Sequence, residues 1–296
     1  MGEMMKANNK TMLVSVFFVL PSLILYLVFT YIPFISSSYY AFFLWDAVTL
    51  PKYIGMRNFV DIFHDQKLLY GLNNTLIMCL VGVLIQNPLS LILGLMLNRN
   101  FKSRAFLRAA FYLPVVLALV VISVVWGQIL QYDGLFNYLL DKVGLDFLIR
   151  DWLGKVQTSF PTIVGLATWQ GLGFCALIYL AGLQSIPVDL YEAAAMDGAS
   201  GWQKLKNITV PLLMPTVSIV TFLILTGSLK LFDLPYIMTN GGPGTSSYTI
   251  SLAIFNAAFM VGNYGYAIAM GLVFMVLILI VSVIQLKLTG RKEVEL

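Results

Sequence analysis

Apolar runs long enough to cross a bilayer recur along this chain, and they decide what it can fold into. They lie at about 11–32, 74–98, 109–129, 162–183, 212–230 and 267–286. A helix needs roughly 20 apolar residues to traverse about 30 Å of hydrocarbon. Only helices and closed barrels satisfy their backbone groups there. Barrel strands would alternate apolar and polar residues over about ten positions, and these runs do not alternate. Composition agrees: of 296 residues, 59% are hydrophobic and 11% charged, where a soluble domain carries about 25% charge. The expected fold is an all-α polytopic membrane protein with six transmembrane helices, forming a single domain over residues 1–296. A shorter apolar segment, Tyr248–Met260, precedes the turn-prone VGNYG and is expected to be an interfacial helix.

Lys and Arg near span ends are retained in the cytoplasm. The amino-terminal tail offers Lys6 and Lys10, and the tail after the last span has Lys287, Arg291 and Lys292. Between the second and third spans NRNFKSRAFLR carries Arg99, Lys102, Arg104 and Arg108 with no acid. These signs place both termini, and the loop 184–211, in the cytoplasm. The first apolar stretch exceeds the about 7–15 residues of a signal-peptide core and lacks a small-x-small cleavage site, so it reads as a retained span. Cys79 and Cys175 fall inside spans as ordinary small apolar residues and imply neither a disulfide framework nor a metal site. The net charge of +4 is accounted for by the cytoplasmic loops and gives no reason to expect nucleic-acid binding.

The longest polar run between two apolar blocks in the second half is EAAAMDGASGWQKLKNITVPLLMP, Glu192 to Pro215. Leu190, Ala193 and Ala194 give a short helix from Val188 a stripe of apolar, small residues. Asp189 sits in its first turn, favourable at the positive end of the helix dipole. Gly198 can take the left-handed conformation that ends a helix. Ser200 can cap a second helix carrying Trp202, Leu205 and Ile208 on one face. Pro211 and Pro215 lead back into the bilayer. The segment could be an amphipathic connector lying on lipid, but the acids Asp189, Glu192 and Asp197 disfavour simple adsorption to an anionic leaflet, and a rigid knob for another protein is the sharper reading.

These residues carry a resemblance. Glu192-Ala193-Ala194, then Gly198, Ile208, Val210 and Pro211, resemble the cytoplasmic signature of permease subunits of bacterial ABC importers, with Val210 standing where that family commonly has Leu. GLQSIPVDLYEAAAMDGAS, TNGGPG and RAAFYLP are similar to the sugar and oligosaccharide branch, of the maltose-permease or glycerol-phosphate-permease type. The resemblance spans about residues 10–290. It implies a type I importer permease fold in the bacterial cytoplasmic membrane, with a coupling helix docked in a cleft of a separate ATPase subunit. Glu192 would pair with a basic group there, Ala193 and Ala194 would permit close approach, and Gly198 would be the turn, with Asp197 before it, as in DGAS, leaning toward the sugar branch by resemblance. Ile208 and Pro211 complete the signature. It further implies a second homologous permease and an extracytoplasmic solute-binding protein met by the outer loops 33–73 and 131–161. The chain has no G-x-x-x-x-G-K-[ST], and Gly241-Gly242-Pro243-Gly244 lacks the Lys, so ATP and magnesium are expected on the partner and no cofactor on this chain.

Polar groups inside spans tend to face a cavity or the bundle interior. The fifth span ends in Ser228, Lys230, Asp233, Tyr236 and Asn240; the fourth holds Trp169, Gln170 and Phe174; the second holds Gln86 and Asn87. Trp169, Phe174, Ser228, Lys230, Asp233, Tyr236 and Asn240 are the candidate substrate path. Lys230 and Asp233, three apart on a helix, could instead neutralise each other. The leading function is the pore-forming subunit of an ATP-driven sugar importer. Import of another solute such as glycerol phosphate or a polyamine is the alternative. An ion-coupled transporter usually shows repeated halves and intramembrane carboxylates, and Asp233 is the one plausible carboxylate near membrane depth. An enzyme would need a cluster of reactive groups, and the single histidine, His64, sits in an outer loop without one.

Overall fold

In the computed structural model, residues 16–290 are described. Helix α1, Val16–Tyr40, contains a π-helical turn at Leu27–Tyr31. A small antiparallel hairpin follows, β1 Phe43–Leu44 against β2 Lys52–Tyr53, then α2, Arg57–Ile62. Next come α3, Gln66–Asn98; α4, Arg104–Val116; α5, Leu119–Ile129; α6, Leu135–Lys142; and α7, Val156–Gln184. Helix α8 is Val188–Met196, and α9 starts at Gly201–Lys204 and runs through a π turn, Leu205–Thr209, into Val210–Leu212. The last four are α10, Met214–Leu229; α11, Asp233–Thr239; α12, Ile250–Met260; and α13, Tyr264–Gly290.

Among the described residues, five helical stretches are long and apolar enough to cross a bilayer, α1, α3, α7, Met214–Thr239 (α10 with α11) and α13, and the bent pair α4–α5 makes a sixth if it counts as one span. Thr11, the expected start of the first span, lies outside the described residues, as do Lys6, Lys10, Arg291 and Lys292. Helix α3 begins at Gln66, earlier than the hydrophobic run alone indicates, because Asp65 caps it. Its Oδ1 accepts from the Lys67 amide at 2.9 Å and the Leu68 amide at 3.2 Å. The third apolar run is not the straight span its composition suggests. Helices α4 and α5 meet at 97°, through extended backbone at Leu117 and Ala118 with ψ of 137° and 135°. Pro114 has no N–H to offer the carbonyl of Ala110, so the last turn of α4 is one hydrogen bond short just before the break.

The chain divides into two compact units, which are taken separately. The first comprises the described residues up to His64 together with Ile254–Val273. Along α1, large apolar side chains such as Phe17, Phe18 and Phe29 are exposed, as expected of a helix that is apolar all round. Buried Asn58 holds the hairpin to α2 by donating to the carbonyls of Ala41 at 2.8 Å and Phe43 at 3.0 Å. Tyr40 stacks on Trp45 with ring centroids 4.3 Å apart. In the loop between the strands, the Thr49 amide, then its hydroxyl and the Val48 amide, hold the Asp46 carboxyl below its ordinary pKa.

The second unit is Asp65–Ala253 with the described residues from Phe274 onward. Helix α7 is its centre. One layer of contact joins Leu93 and Leu97 of α3 to Ala176 and Leu180 of α7, and another joins Cys175 and Tyr179 of α7 to Val220 and Ile224 of α10. A polar tie crosses the same three helices. Asn87 donates to the Thr221 hydroxyl at 2.8 Å and accepts from the Tyr179 hydroxyl. All three side chains are buried, so each satisfied bond removes a desolvation cost of about 1–3 kcal/mol that an orphaned group would incur. The run from Gly241 to Gly244 is a structural turn. The Gly241 amide donates to Pro235 O at 3.1 Å, the Ser247 hydroxyl donates to Gly242 O at 2.9 Å, and the Gly242–Pro243 bond is cis. Asn74 of α3 anchors the following segment by donating to Ser246 O at 3.0 Å and Tyr248 O at 2.9 Å.

Candidate functional site

A cavity of about 260 Å³ lies in the second unit between α3, α7 and α10. Its polar lining consists of Gln86, Thr168, Gln170 and Ser228, set among apolar groups that include Phe174 and Leu231. Gln86 closes the π turn Gly82–Gln86, a widened turn that alters which side chains face the cavity. Its Nε2 lies 3.8 Å from Cys175 Sγ and against Gly171, where an added Cβ would stand 2.5 Å from that nitrogen. Among the described residues, the side chains of Thr168, Gln170 and Ser228 make no hydrogen bond to another protein group. The cavity therefore presents one amide and two hydroxyls that are uncommitted.

Of the residues the sequence singles out for the substrate path, Phe174 and Ser228 line this cavity. Trp169 does not; it meets Trp126 edge-on at 5.5 Å, half exposed. Lys230 is exposed and follows the end of α10 at Leu229, whereas Asp233 opens α11. Leu231 and Phe232 interrupt the helix between them, so the three-residue helical spacing does not bring the charges together. Among the described residues, the one ion pair is Arg57–Asp61 at 3.9 Å. Tyr236 stacks on Phe232 at 5.0 Å, and Asn240 ends α11 in the left-handed conformation with φ of 49°. Gln86 and Gln170, noted in the sequence as polar groups inside spans but not placed on the substrate path, also line the cavity, and Thr168 is the lining group that the sequence did not single out. Their signal was an amide or hydroxyl inside an apolar run, the same signal that the core residue Asn87 gives.

The second feature is the polar segment between α7 and α10. Helix α8 ends with Gly198 at φ 76°. The Ala199 amide reaches Ala194 O at 2.9 Å and the Gly198 amide reaches Ala195 O at 3.0 Å, the paired bonds of a Schellman motif. Two residues on, Ser200 starts α9 with a complete capping box: its hydroxyl accepts from the Gln203 amide, and Gln203 Oε1 accepts from the Ser200 amide at 2.7 Å. Behind the turn, the Tyr191 hydroxyl bonds that of Thr209 at 2.9 Å, and Tyr191 and Ile208 pack on buried Leu183, Ile186 and Leu213. Glu192, Ala193, Asp197 and Gly198 are exposed; Ala194, Ile208 and Pro211 are half-buried. Asp189, Glu192, Ala193 and Met196 share one outward face of α8, and Met196 and Trp202 are 89% and 71% exposed. Ser200→Ala removes the cap, which costs about 1 kcal/mol. Amide hydrogen exchange at residues 201–204 should accelerate about fivefold, the factor that 1 kcal/mol corresponds to.

Long apolar helices α3, α7 and α10 around a cavity, with a rigid helical knuckle between α7 and α10, are the arrangement expected of a membrane transport subunit. Residues 86–293 match the family described as binding-protein-dependent transport system inner membrane component, and the chain belongs to that family. It is 34% identical to the probable ABC transporter permease protein YurN of Bacillus subtilis strain 168, over 96% of this chain and 99% of that one. It is 32% identical to the probable starch degradation products transport system permease protein AmyD of Thermoanaerobacterium thermosulfurigenes, over 94% of each. Among solved structures, a bacterial alginate ABC transporter in complex with an alginate pentasaccharide-bound periplasmic protein superposes with a TM-score of 0.82 at 26% identity, covering 97% of this chain and 96% of that one. The protein is thus a permease subunit of an ABC importer, with the helical fold of that class.

Proposed function

We propose that this subunit forms the translocation path for a sugar or oligosaccharide delivered by an extracytoplasmic binding protein. The segment 184–211 couples it to a separate ATPase, which carries the ATP and magnesium, and a second, homologous permease completes the path. Saccharide transport is supported by what the AmyD relative and the alginate transporter are named for. Coupling is supported by one observation above the others: the turn at Gly198 is locked by a Schellman motif and a capping box, while its outward face stays bare. Rigid geometry with exposed Met196 and Trp202 suits a socket on another protein better than it suits water. Glu192 supplies the charge on that face, Ala193 and Ala194 the close approach, Asp197 and Gly198 the turn. Ile208 and Pro211 hold the knuckle on the membrane helices. Both termini lie in the cytoplasm with it.

The test is a cysteine at Met196, feasible because Cys79 and Cys175 are buried. A membrane-impermeant maleimide should label Met196→Cys in inside-out vesicles and not in intact cells, and the assembled ATPase should protect it. Labelling from outside, or full labelling within the assembled transporter, would remove the coupling role.

A further inference from the structure

The cavity between α3, α7 and α10 holds no ionisable side chain except a buried cysteine, Cys175. Its polar groups are amides and hydroxyls: Gln86, Gln170, Thr168 and Ser228. The nearby charges, Lys230 and Asp233, belong to the region just beyond the end of α10 and are not part of its wall. We infer that this subunit is built to pass neutral saccharides and to select against uronates, phosphates and other anionic solutes, with Gln170 the group that sets this preference. The inference rests on the sugar-importer reading above and narrows it.

The chemistry is one of matching. A sugar hydroxyl both donates and accepts, and so do a glutamine amide and a serine or threonine hydroxyl. Each can therefore satisfy a passing hydroxyl in either sense. A carboxylate or phosphate only accepts, and it carries a charge into a space bounded mainly by aliphatic and aromatic groups. Moving an anion from water into such a space is costly unless a cation or several N–H donors meet it. The described walls offer no cation. Gln86 is already tied down against Cys175 and Gly171. Gln170 remains as a lining amide with no protein partner among the described residues. Phe174 supplies an aromatic face from the same helix, one turn further along α7. A bacterial ABC transporter involved in the import of the acidic polysaccharide alginate has the same fold. The shared fold therefore does not fix charge preference, and the inferred preference rests on the lining side chains.

The experiment uses the complete transporter in proteoliposomes: this permease, its paired permease, the ATPase and the binding protein. Uptake is followed for four neutral probes, maltotriose, lactose, raffinose and xylotriose, and for the mono-carboxylated derivative of each. Solute-loaded binding protein is supplied at saturating concentration, so that loading does not limit the rate. The neutral form of a transported probe should enter at least tenfold faster than its carboxylated form. Gln170→Arg should narrow that gap at least tenfold, with binding-protein-stimulated ATP hydrolysis as the check that the variant assembles. Equal rates for the two forms in the wild-type complex, or preferential uptake of the carboxylated form, overturn the inference and leave sugar import standing. An unchanged gap in an assembled Gln170→Arg complex overturns the role of Gln170. Uptake of no saccharide by a complex that hydrolyses ATP overturns both readings together.

Discussion

Ala193→Trp is expected to reduce ATP-driven uptake to background while the permease itself remains folded and in the membrane. Ala193 is exposed on α8, on the same face as Asp189, Glu192 and Met196. An exposed methyl group contributes little to packing, so the substitution should change intrinsic stability by no more than about 0.5 kcal/mol. A rigid partner surface seated against α8 would meet an indole where a methyl group was. The knuckle cannot yield, because the Schellman bonds at Ala194 and Ala195 and the capping box at Ser200 fix both sides of the turn. Hot-spot residues at a packed interface centre, a handful per interface, cost about 2 kcal/mol or more when altered, which is roughly a 30-fold change in association at about 1.4 kcal/mol per tenfold. The measurement pairs solute uptake with co-purification of the ATPase. Loss of both with normal permease levels is the expected pattern. Wild-type uptake by Ala193→Trp would mean that α8 is not seated in a partner at all.

Why the knuckle was legible in the sequence, and much of the cavity was not, follows from the range of the forces involved. Gly198 and Ser200 act on backbone groups within four residues of themselves, so a glycine and a serine in the right order specify the turn without help from the rest of the fold. The spans are equally local in origin, since a run of apolar residues is enough to exclude water. Membership of the cavity is different. Gln86 and Asn87 are neighbours of the same chemical kind on α3. One faces the cavity and the other is buried between Tyr179 and Thr221, because a helix turns by about 100° per residue and a π turn intervenes. Mutual neutralisation of Lys230 and Asp233, the alternative to a place on the substrate path, assumed one continuous helix, and the break at Leu231 and Phe232 voids that spacing. The 97° bend between α4 and α5 had only Pro114 to announce it, in a stretch whose composition is uniformly apolar. No polar residue marks Leu117 or Ala118 as the corner.

Gly173→Leu is expected to prevent α4 and α7 from packing, with a loss of stability of at least about 1–3 kcal/mol, the usual range for overpacking a filled core. An added Cβ on Gly173 would lie 1.8 Å from the carbonyl oxygen of Phe111 and 2.6 Å from its carbonyl carbon. Both are backbone atoms, so no rotamer change relieves the overlap; the helices must separate. Inside a bilayer that separation is not opposed by water, since lipid tails solvate apolar surface as well as another helix does. Helix association there depends on close van der Waals contact, which small residues permit. The same helix supplies its own control. Gly165 has open space around its Cβ position, and Gly165→Ala should be neutral or stabilising by up to about 1 kcal/mol through better helix propensity. Thermal unfolding of the two purified variants in one detergent should therefore move in opposite directions, or leave Gly165→Ala unmoved while Gly173→Leu melts lower. Similar melting for Gly173→Leu and wild type would mean that α4 and α7 are not held in the contact described, and that the wall of the cavity carried by α7 is not fixed by this packing.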